Sequence, residues 1–139
     1  MSRSPVNHLP LLWALLALCF CGCGSKEETP ENLDRPETLQ EAIQEIISLY
    51  ESGDFDSLIR TRYAEIGKTE GEAQIEKLVE RFSTRFADKK AIEEAVSTYR
   101  AALKAEPETS QDGKLTTFKL DQGIMKLSRM PSGKWGFHL

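Results

Sequence analysis

Between Leu39 and Leu103 apolar residues return every three or four positions, and from Lys114 onward they return every second one. This change of period constrains the fold, because a helix turns every 3.6 residues while a strand alternates its side chains between two faces. The helical stretch divides at its own stop and start signals. Asp34 followed by Pro36 and Glu37 is a start signal. Leu39, Ile43, Ile46, Ile47 and Tyr50 then form one apolar face, which Gly53 ends. Asp54 is placed to cap a second helix whose apolar positions are Phe55, Leu58, Ile59 and Tyr63, with a break at "IGK", Ile66 to Lys68. Thr69 and Glu72 form a capping-box pattern before Ile75, Leu78, Val79, Phe82 and Phe86. Asp88 opens a fourth segment through Ile92, Ala95, Val96, Tyr99 and Leu103, and Pro107 closes it.

In "KLTTFKL", Thr116, Phe118 and Leu120 share a side; "GIMKLSRM" is apolar with looser alternation; "KWGFHL" sets Trp135, Phe137 and Leu139 on one side and His138 on the other. The turns "QDG", "DQG" and "PSG" separate these runs. The expectation is an α+β domain over 35–139, about four helices followed by a C-terminal three-stranded antiparallel sheet whose inner face the helices cover. Trp135, Phe137 and Leu139 are expected to bury together.

The 139 residues suit one such domain plus an appendage. With 22 Asp and Glu against 18 Lys and Arg, the chain lacks the concentrated basic surface of a nucleic-acid binder, and nucleic acid is excluded as a partner.

All three cysteines, Cys19, Cys21 and Cys23, lie in the appendage, and charge follows at once in "GSKEE". A structural metal site needs about four ligands. Beyond Cys23 the only cysteine or histidine is His138, so no metal or other cofactor is expected. The cysteines are too close together for ordinary disulfide pairing, and no distant partner exists. The segment reads instead as a processing signal: "MSRSPVNHLP" with one arginine and no acid, the uncharged run "LLWALLALCF", then small residues around Cys23. That run falls short of the roughly 20 apolar residues that cross a bilayer.

An apolar stretch ending in small residues and a cysteine resembles the lipobox of bacterial lipoproteins. In that family the cysteine thiol receives a diacylglyceryl group, the peptide before it is removed, and the new amine is usually acylated. The resemblance implies a signal peptide over 1–22, lipidation at Cys23 with Gly22 as the small residue before the cleaved bond, and palmitate-type chains on the anchor. Phe20 stands where the family prefers Leu, and Cys21, with Leu18 before it, is the alternative position. The implied location is a bacterial cell-envelope membrane, facing the periplasm or exterior. Residues 23–34 then form the lipidated cysteine and a flexible tether, poor in apolar residues, whose last eleven span at most about 35 Å.

Two short stretches of the domain, "LYESGDFDSLI" (Leu49–Ile59) and the terminal "SGKWGFHL", resemble small lipoproteins of the ketosteroid-isomerase-like, or SnoaL-like, cone group. The long helical run between Thr69 and Ala105 departs from that group, which usually carries more strand there. In cone enzymes the resemblance implies an acid–base pair in a pocket, and Asp54, Asp56 and Tyr63 are the nearest candidates. Each also has a structural reading: Asp54 as a cap, Asp56 in a favourable first turn, Tyr63 on the apolar face. No nucleophile elbow, phosphate loop or His-Glu metal helix is present. Lys77, Arg81 and Arg85 recur at four beside Glu72, Glu76 and Glu80, a solvated face or a docking face for a protein partner. The sequence is thus read as a membrane-anchored, non-enzymatic lipoprotein whose domain binds a partner or small ligand; the alternative is a cone-fold enzyme of isomerase or dehydratase type.

Overall fold

The structure is a computed structural model that describes residues 35–68 and 71–139. Among these residues four helices precede a four-stranded antiparallel sheet: α1 (Leu39–Ser52), α2 (Phe55–Arg62), a 3-10 turn (Ile66–Lys68), α3 (Glu72–Arg85), α4 (Lys89–Ala102), then β1 (Pro107–Thr109), β2 (Leu115–Leu120), β3 (Gly123–Arg129) and β4 (Trp135–Phe137). The strands lie in sequence order, β1-β2-β3-β4.

The helix ends follow local chemistry. Thr38 caps α1: its hydroxyl accepts from the Glu41 N–H at 3.2 Å, and the Glu41 carboxylate accepts from the Thr38 N–H at 2.9 Å. The start expected at Asp34 is therefore corrected to Thr38; Asp34 lies outside the described residues, and the Glu37 carboxylate turns to another partner. Gly53 ends α1 with φ 70°, a left-handed turn that glycine adopts without strain. Asp54 caps α2 by accepting from the Ser57 N–H at 3.1 Å, and Asp88 caps α4 through the Lys90 N–H at 3.1 Å. The box expected from Thr69 and Glu72 is replaced by a Gly71 cap without a side-chain bond. Thr69 itself lies outside the described residues.

Pro107 does not close α4, which ends at Ala102; it opens β1. Three strands are thereby corrected to four. Proline has no N–H to give to a ladder, so the first position of an edge strand suits it. Pro107, Glu108 and Thr109 pair with Phe118, Thr117 and Thr116, and all three are exposed, so no burial alternation marks them in the sequence.

The core lies between the helices and one face of the sheet. Ile43, Ile46, Leu58 and Ile59 meet Phe118, Leu127, Trp135 and Phe137, all buried. Tyr50 is the hub of an aromatic cluster, with ring centroids 6.1 Å from Phe55, 5.1 Å from Phe86 and 5.8 Å from Tyr99. Burial pushes the Tyr50 hydroxyl up to about 12, and burial also raises Tyr99, its hydrogen-bonding partner. Trp135 and Phe137 bury as expected, but Leu139 is 63% exposed. Pairing stops at Phe137, so Leu139 lies past the last residue that the ladder holds inward. His138 is exposed and lies 2.7 Å through Nε2 from the Ser128 hydroxyl. Among the described residues no helix is long and apolar enough to cross a membrane.

Candidate functional site

Arg62 ends α2 on its apolar side, three and four residues after Ile59 and Leu58, and is completely buried. A buried guanidinium needs partners for its five N–H groups. Nη1 and Nη2 donate to the Glu37 carboxylate at 2.9 and 2.7 Å. Nη1 also donates to the Trp135 carbonyl at 3.2 Å, and Nε to Glu45 at 3.3 Å, with Nη2 completing the Glu45 pair. The Trp135 N–H returns a bond to Glu37 at 2.8 Å. One side chain thus joins the segment before α1, α1 itself, α2 and β4. Burial disfavours the charge on Arg62, but the hydrogen bonds and charges of Glu37 and Glu45 outweigh it and raise the group above its ordinary value. Burial likewise opposes ionisation of Glu37, and Arg62, the Trp135 N–H and Lys134 together hold its carboxyl below the ordinary value.

Beside this network a groove of about 620 Å³ opens between the end of α2 and the β3–β4 turn. Ala64, Ile66, Met130 and Pro131 give it an apolar floor; Arg60, Lys68 and Lys134 stand at it, and among the described residues no carboxylate lines it. Their acidic partners sit outside the lining. Arg60 bonds Asp56 at 2.8 Å and Glu72 at 3.1 Å, while Lys68 reaches Glu65 at 3.6 Å and Lys134 reaches Glu45 at 3.7 Å. The two lysine pairs are long and exposed, and such pairs are worth about 0–1 kcal/mol. The backbone that forms the groove is tied by the Ala64 N–H, which donates to the Phe137 carbonyl at 2.8 Å.

The residues singled out from sequence do not converge. Asp54 caps α2 in solvent, and the Ser57 N–H holds its carboxyl below its ordinary value. Asp56 pairs with Arg60. Tyr63 lies at the other end of α2, its hydroxyl 3.4 Å from Glu65, and is raised by burial and by that carboxylate. Eight helical residues, about 12 Å, separate the two ends. Lys77, Arg81 and Arg85 are exposed on α3, with the Arg85 guanidinium 5.6 Å from the Phe86 ring centroid, while Glu72 is drawn to Arg60. Among the described residues no three His, Cys, Asp or Glu side chains gather as a metal shell requires. Cys23 lies outside the described residues.

Sequence reasoning missed Arg62 and the groove. The signal for Arg62 was present: an arginine at an apolar-face position of an amphipathic helix announces a buried pair or a site. No family model matches the chain, nor does any curated protein or solved structure.

Proposed function

We propose that this chain is an exported lipoprotein, held on a bacterial cell-envelope membrane by lipid on Cys23, whose domain binds a protein partner or small ligand without catalysing a reaction. The observation that carries this reading is the run "LLWALLALCFCGCG" followed at once by a polar, acidic tether. Two or more acyl chains on one cysteine anchor a protein stably, where a single chain holds it only marginally. The filled interior supports binding over the isomerase or dehydratase alternative: Phe118, Leu127, Trp135 and Phe137 occupy the inner sheet face where a cone enzyme keeps its pocket. The groove beside α2 is the place for a ligand on this reading.

Metabolic labelling with a palmitate analogue, followed by detergent partition, tests the anchor. Wild type is expected to label and enter the detergent phase, and Cys23→Ser to lose both properties. Label retained by Cys23→Ser and lost in Cys21→Ser moves the anchor to Cys21. Wild type without label overturns the reading.

A further inference from the structure

We infer that the groove between α2 and the β3–β4 turn is a binding site for a small amphipathic carboxylate: an apolar or aryl body with one anionic head. The inference deepens the ligand-binding reading above and does not depend on the anchor.

Size fits first. Small-molecule clefts occupy about 300–1,000 Å³, and the groove holds about 620 Å³. Chemistry fits next. Ala64, Ile66, Met130 and Pro131 supply an apolar floor, which rewards burial of a hydrocarbon or ring. Among the described residues the charged side chains at the lining are all cationic, namely Arg60, Lys68 and Lys134. Lys68 and Lys134 are 79% and 44% exposed and hold their carboxylate partners at 3.6 and 3.7 Å. Either ammonium can therefore swing to a ligand head at little expense, gaining a charge-assisted hydrogen bond. A cationic ligand would face the three cations of the lining, and a neutral one would gain no charge-assisted hydrogen bond from Lys68 or Lys134.

Rigidity fits last. The walls come from segments about 70 positions apart in the chain, and the Ala64–Phe137 hydrogen bond and the buried Arg62 network fix them together. The groove is preformed, so a ligand does not have to order it.

The test uses the isotope-labelled, lipidated chain in phosphatidylcholine nanodiscs. It is titrated with 4-phenylbutyrate, 4-phenylbutan-1-ol and 4-phenylbutylamine, with empty discs as the control. The carboxylate is expected to shift the Met130 methyl and the Gly67 and Ser132 amides in a saturable way. The alcohol should bind about tenfold more weakly, as the loss of one charge-assisted hydrogen bond implies, and the amine more weakly still. Lys68→Gln with Lys134→Gln should lower carboxylate affinity about tenfold and leave that of the alcohol unchanged. Ser132→Trp, at an exposed turn residue, should block binding with an unchanged melt. Equal affinities for carboxylate and alcohol, shifts centred elsewhere, or no saturable binding overturns the assignment. A chain that is not recovered with the discs sinks the anchor alone. The same titration is then run on the disc-free chain and still decides the groove.

Discussion

The guanidinium of Arg62 and the carboxylate of Glu37 meet in a two-point pair at 2.9 and 2.7 Å, the arginine fully buried and the glutamate 16% exposed. The pair fastens the start of the domain to its last strand, because Glu37 also accepts from the Trp135 N–H and Arg62 donates to the Trp135 carbonyl.

Arg62→Met is therefore expected to destabilise the domain by about 3 kcal/mol, the low end of what removing one partner of a buried pair costs. The low end applies because Glu45 is 44% exposed and can recover water. Arg62→Met with Glu37→Met should recover part of the loss, since both charges then leave the interior together. Recovery stays incomplete because the Trp135 N–H loses its acceptor. Urea titration of the three proteins at pH 7 measures both quantities. An unchanged midpoint for Arg62→Met contradicts the role assigned to the network.

Acid should loosen the same joint. The Glu37 carboxyl is depressed in the folded state below its ordinary value of 4.5. Its contribution to stability is then complete above about pH 4.5 and is lost as pH falls through the lower, folded-state value. The stability difference between wild type and Glu37→Gln should be constant near neutrality and shrink below pH 4.5. Urea midpoints measured across that range give the comparison. A difference that widens toward low pH reverses the sign argued here.

These two residues also mark where the sequence stopped being readable. Gly53, Asp54 and Asp88 end or begin helices through bonds to neighbours within five positions, so their roles were visible locally. The apolar faces of α1 and α4 were visible for the same reason. Glu37 finds Arg62 across 25 positions, and nothing in a local pattern encodes that pairing. Instead, Glu37 looked like half of a helix start with Asp34, a role that Thr38 and Glu41 take. β1 was hidden because an exposed three-residue edge strand has no inward face to alternate. Leu139 was misplaced because alternation continues in the sequence after the ladder has ended. The groove arises from residues 60–68 and 130–134, which only the tertiary fold brings together.

Gly136 sits in a tight approach of β4 to the end of α2. A Cβ there would lie 2.8 Å from the Met130 sulfur, 2.9 Å from the Ala64 Cα and 2.9 Å from the Arg62 carbonyl oxygen. Two of those atoms are backbone and cannot swing away. Gly136→Ala is expected to cost about 1–3 kcal/mol through overpacking. It should also perturb the groove floor, because Met130 and Ala64 both line it. Thermal unfolding and the Met130 methyl resonance report the two effects. A neutral Gly136→Ala places β4 farther from α2 than the structure has it.

The last five residues divide into three that hold the fold and two that do not. Trp135 and Phe137 are each 3% exposed, and between them Gly136 fills the tight approach to α2. His138 and Leu139 are exposed beyond the final pairing. Truncating a buried Trp or Phe to alanine costs about 3–5 kcal/mol. Removing 135–139 deletes two such side chains and both Trp135 backbone bonds to the Arg62–Glu37 pair. That loss rivals the whole stability of an ordinary domain, about 5–15 kcal/mol. The chain ending at Lys134 should show no cooperative melt by circular dichroism. The chain ending at Phe137 should melt within a few degrees of wild type, because exposed substitutions away from such features usually change stability by about 0.5 kcal/mol or less. Equal melts for both truncations would mean that β4 is not part of the core.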